Sequence, residues 1–114
     1  MNITDMTPNG WAKDKVLTKY IMQCLETTDE PDYIYTISVQ GHGDYPSEKL
    51  IEDPLITVWG SPTPEKDNQW EYYVNMIYEM DQFVEDLITA VDSTGEDSVI
   101  VFYGDHLPTM DLTE

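Results

Sequence analysis

Cysteine is nearly absent from this sequence. Cys24 is the only one in 114 residues, so neither an intramolecular disulfide nor a multi-cysteine zinc site can be built within the chain. Cationic side chains are scarce as well: five Lys plus Arg face 23 Asp plus Glu, for a net charge of −18. That balance repels a phosphate backbone or an anionic lipid surface, and no nucleic acid is expected as a partner. A phosphate-bearing substrate would need a bound cation to supply positive charge locally, so the acidity favours a metal. No apolar run approaches the roughly 20 residues that span a bilayer. Met1-Asn2-Ile3-Thr4-Asp5-Met6 has neither the basic start nor the apolar stretch of a signal peptide. The chain as it stands reads as soluble, and it could still be cut from a longer exported or membrane-anchored protein. Also missing are a glycine-rich phosphate loop followed by lysine and a Gly-x-Ser-x-Gly elbow. Ser47 lacks a base, and Thr36 and Ser38 fall inside an expected strand, so no nucleophile stands out.

An apolar fraction of 40% suffices for one core, and one domain is the default at this length. After Thr7-Pro8-Asn9-Gly10, a turn, residues 13–26 place Val16, Leu17, Tyr20, Ile21, Cys24 and Leu25 on one stripe of an amphipathic helix. This helix is expected on a sheet face, with Cys24 as a buried, inert thiol. Residues 33–39 are β-branched and aromatic almost throughout, which predicts a central strand, and residues 40–46 leave it through Gly41, Gly43 and Pro46. A short edge strand is expected at 56–59. Residues 67–91 carry Trp70, Tyr73, Ile77, Met80, Val84, Leu87 and Val91 at alternating spacings of three and four, a long helix. Its acidic residues Glu71, Glu79, Asp81, Glu85 and Asp86 are expected on the solvated face, with Asp81 the one that could be partly buried. Residues 98–103 form a second apolar strand. The element order predicts an α/β fold, a mainly parallel sheet with flanking helices, with ligands at the carboxyl ends of the strands.

Both histidines of the chain fall at such ends, His42 after the first strand and His106 after the last. Parallel neighbouring strands would bring them together. Asp105 offers a carboxylate oxygen and His106 an imidazole nitrogen, a pair suited to Mn²⁺, Zn²⁺ or Fe, while Gly104 lets the backbone turn so that both face one ion. The same dipeptide also serves as a helix cap or a hydrogen-bonded loop pair, and a metal site normally takes three or four ligands. A loop histidine between glycines, such as His42, is often simply solvated. Asp44 and Tyr45 could line a pocket or complete a turn, and Trp70, Tyr72, Tyr73 and Tyr78 read as helix packing rather than a sugar platform.

Residues 35–46, Tyr-Thr-Ile-Ser-Val-Gln-Gly-His-Gly-Asp-Tyr-Pro, resemble the strand and "NHxPY"-like loop of lipoteichoic acid synthase-type enzymes. Residues 73–83 followed by 98–106, ending in Tyr103-Gly104-Asp105-His106, resemble that family's helix and "YGDH" metal-binding strand. Order and separation agree over roughly residues 10 to 110. The resemblance implies a phosphoglycerol transferase or sulfatase of the alkaline phosphatase superfamily. It further implies Asp105 and His106 as metal ligands and His42 as a residue that binds the substrate phosphate or stabilises its transition state. The implied cofactor is a divalent metal, Mn²⁺ in the family, with Zn²⁺ and Mg²⁺ as alternatives. The implied substrate is a phosphoglycerol lipid or other anionic ester, handled on the extracellular face of the membrane. In that family the threonine nucleophile and a further acidic ligand lie upstream, and another active-site loop lies downstream. Residues 1–114 are therefore expected to be a single partial domain, inactive alone, weak in metal affinity, and prone to self-association through exposed sheet edges. A sulfatase, another phosphoesterase, or a non-catalytic acidic binding module are the competing expectations.

Overall fold

A computed structural model describes residues 4–110. Met1, Asn2 and Ile3, part of the run inspected for an export signal, lie outside the described residues. Two helices organise the chain, α1 (Lys15–Glu26) and α2 (Pro64–Asp92). Thr63 caps α2, its hydroxyl accepting from the Lys66 N–H at 3.2 Å, and Pro64 follows at the first helical position, where its missing N–H costs nothing. The helix therefore starts three residues before the expected boundary at residue 67. Among the described residues, no helix is long and apolar enough to cross a membrane.

The expected parallel sheet is not there. Among the described residues the only β pairing is an isolated antiparallel bridge between Met6 and Ala12, which closes the turn at Thr7-Pro8-Asn9-Gly10. Gly10 holds φ +91° in that turn, a conformation L side chains rarely adopt. Residues 33–39 and 98–103 form no strand, and most of their apolar side chains face solvent: Tyr33 and Val99 are each 91% exposed. Apolar, β-branched composition selects residues that suit a covered strand, but it supplies neither a ladder partner nor the covering layer. Here α1 and α2 cover each other instead.

The expected edge strand at 56–59 also fails to form, for a specific reason. Asn75 donates to the Ile56 carbonyl at 2.8 Å and accepts from the Ile56 N–H at 3.1 Å, doing with one side chain what a neighbouring strand would do with its backbone. Glu71 accepts from the Val58 N–H at 3.4 Å and Asp67 from the Ser61 N–H at 2.9 Å. Glu71 is therefore buried, against the expectation of a solvated face, while Asp81 is exposed.

Two apolar clusters hold the molecule. Phe83, Leu87 and Val91 of α2 pack against Leu17, Ile21, Met22 and Leu25 of α1. Tyr72 and Met76, one turn and more towards the start of α2, pack against Tyr45 and Met110, with Ile51, Trp70 and Tyr73 at the margin. At about 100° per residue, both helices present faces turned by roughly 70° from the stripes read in sequence. The flank carrying Cys24 is consequently open, and that thiol is exposed rather than buried.

Candidate active site

The second cluster positions the chemistry. Tyr45 is buried against α2, and its hydroxyl donates to the Gly41 carbonyl at 2.8 Å, closing the loop that carries His42. Burial, then the neighbouring Tyr73, pushes the Tyr45 hydroxyl above its ordinary pKa, so it remains a donor. Asp44 takes φ 65°, a left-handed conformation that non-glycine residues seldom adopt. Met110 enters the same cluster from the other end of the chain, and Gly43 lies so close to Thr109 that an added Cβ would meet its Oγ1 at 3.1 Å. Loop 41–45 and segment 106–110 are thus packed on one another.

That packing brings the two histidines together without a sheet. Their ring centroids are 6.2 Å apart, with the planes at 89°. Asp105 Oδ1 lies 3.6 Å from His106 Nε2, and both side chains are largely exposed. His106 Nδ1 is 2.9 Å from the Leu107 carbonyl, which can only accept, so Nδ1 is the donor there and Nε2 is the ring nitrogen turned to Asp105. Metal-bound histidines are commonly held in this way. Asp105 and His106 therefore suit a divalent cation as two of its ligands. Among the described residues no third His, Cys, Asp or Glu completes the group.

Three residues near His42 carried no functional reading in the sequence. The Trp11 ring lies 5.2 Å from that of His42 at 53°. Asp14 and Gln40 are each 1% exposed and bonded to one another behind the loop. Burial raises the Asp14 pKa, against the lowering effect of the Gln40 and Val39 N–H groups and Ser38. Gln40 had one available signal: it is a polar residue in the last covered position of an apolar run. Trp11 and Asp14 had none, since each sits in an unremarkable polar context.

The sulfatase family matches residues 2–112, and the chain belongs to that family, within the alkaline phosphatase superfamily. Over 111 residues it is 30% identical to a protein of Rhizobium meliloti described as "Putative cyclic beta-1,2-glucan modification protein". The match takes in 96% of this chain and 17% of that relative, so the chain spans about a sixth of the relative's length. No solved structure matches it significantly.

Proposed function

We propose that residues 1–114 are part of the extracellular catalytic domain of a metal-dependent phosphoglycerol transferase acting on phosphate esters of lipid or glycan. The observation that carries this reading is the approach of His42 to His106, with the Nε2 of His106 turned to Asp105. Asp105 and His106 would hold a divalent cation, which would polarise an ester oxygen and lower the pKa of an attacking hydroxyl. His42, on the facing loop, would contact the non-bridging oxygens of the ester and donate to them as charge builds. The hydroxyl itself would come from a threonine outside this chain, which makes the chain inactive by itself. The relative's description supports a glucan as acceptor. Sulfate ester hydrolysis is the second reading, favoured by the family match itself.

Calorimetric titration with Mn²⁺ tests the cation site. Wild type is expected to bind weakly, with two protein ligands where a site normally has three or four, and Asp105→Ala and His106→Ala are expected to abolish the heat. Equal heats for all three proteins would overturn the site. Turnover of a phosphodiester by the purified chain, lost in His106→Ala, would refute the claim that a nucleophile is missing. Competition of the bound complex by glycerol phosphate but not by a sulfate ester distinguishes transferase from sulfatase.

A further inference from the structure

We infer that Asp14 and Gln40 are positioning residues for His42, a buried reciprocal clamp that fixes the loop to both helices. The inference rests on the role proposed for His42 and names what holds that side chain in place.

The clamp is built from both ends. Gln40 Oε1 accepts from the Asp14 N–H at 2.8 Å, and Asp14 Oδ1 accepts from the N–H groups of Gln40 and Val39 at 3.3 and 3.2 Å. Asp14 stands at the N-cap of α1, but its side chain makes no capping bond there and turns to the loop instead. Gln40 also reaches α2, donating through Nε2 to Glu79 Oε2 and, at 3.6 Å, to Met76 Sδ. Lys13 closes the circuit on Glu79 Oε1 at 3.1 Å.

Everything between this clamp and His42 is short and tight. The His42 N–H donates to the Val39 carbonyl at 3.0 Å, so the bonded residues 39 and 40 carry the histidine through a single turn. Gly41 sits close to α2: a Cβ there would meet Met80 Sδ at 3.1 Å, so that side chain would have to give, and Ile77 Cδ1 at 3.5 Å. Capping α1 would need neither a buried glutamine nor two loop N–H groups. Placement of the loop uses all of them.

The test needs no ligand in its first arm. The chain has two histidines, and the ring current of Trp11 should displace the His42 ring-proton resonances from the free-imidazole position. Asp14→Ala and Gln40→Met are expected to return those resonances towards the free position while the helical circular dichroism is kept. Asp14→Asn, which retains an accepting oxygen, should preserve them. In the second arm, glycerol phosphate binding in the presence of Mn²⁺ should weaken about tenfold in Asp14→Ala and Gln40→Met, the size typical of residues that orient a site from behind. Unchanged His42 resonances in both variants, or loss of the helical signal in both, would overturn the inference. Absence of binding by wild type would instead count against the proposed function, and the resonances would still decide the placement.

Discussion

Asp14 keeps one carboxylate oxygen bonded to two backbone N–H groups and the other buried without a partner. Desolvation of that second oxygen favours the neutral acid, so the folded chain holds this proton more tightly than the unfolded chain, whose ordinary value is 3.8. The sign follows from linkage. A raised folded pKa contributes stability that is fully present below the unfolded value and is lost as pH rises through the folded one. Asp14→Asn carries no charge and keeps an acceptor. The stability of wild type minus that of Asp14→Asn, from urea unfolding, should therefore fall as pH rises above the ordinary value of 3.8. A flat or rising difference would show that Asp14 is not desolvated. Residues of this kind are the least legible in sequence, because Asp14 owes its burial to a loop that approaches from a distant part of the chain. The meeting of His42 with His106 was expected from neighbouring parallel strands; the strands are absent, and packed loops bring the two rings to 6.2 Å instead.

At the scale of elements, periodicity located both helices to within a few residues but mistook which face would be covered. Apolar stripes report how much of a helix wants burial; the neighbours that exist decide where the seam runs. A polar stripe at spacings of four, Asp67, Glu71, Asn75 and Glu79, was in view throughout. In the structure each of these residues binds a segment from outside α2. Asp67, Glu71 and Asn75 each bind backbone of the segment 56–61 laid along α2, while Glu79 binds the Lys13 and Gln40 side chains. The turned face gives a sharp contrast between two aliphatic residues of α2. Leu87 is buried in the seam with α1, and Leu87→Ala should cost about 3 kcal/mol. Ile77 was an equal member of the sequence stripe but is 38% exposed, so Ile77→Ala should cost well under 1 kcal/mol. Chemical denaturation of the two variants reads the difference directly, and equal losses would restore the face read from sequence.

Taken whole, the molecule is expanded and under-covered. Its radius of gyration is 16.6 Å, against about 13 Å for a compact domain of this length. Its surface of 8524 Å² compares with about 6,400 Å² for a compact protein of 13.2 kDa. Exposed side chains of runs 33–39 and 98–103, such as Tyr33, Ile37, Val99 and Val101, add to that surface. Self-association through sheet edges has no edge to use among the described residues, but the exposed apolar side chains remain: Tyr35, Ile37, Val101, Phe102 and Tyr103 all face solvent, with the Tyr103 hydroxyl bonded to that of Tyr35 at 3.0 Å. Two forces then compete when copies of the chain meet. Burial of these side chains favours contact by about 25 cal/mol per Å², while a net charge of −18 on each copy opposes it. Repulsion reaches about 10 Å at 0.1 M salt and only about 3 Å at 1 M, whereas apolar burial is not screened. Light scattering should therefore give a mass near 13.2 kDa at low ionic strength and a rising mass as salt is added. Alanine at Val101 and Phe102 should suppress the rise, and a mass independent of salt in wild type would mean that these side chains drive no association.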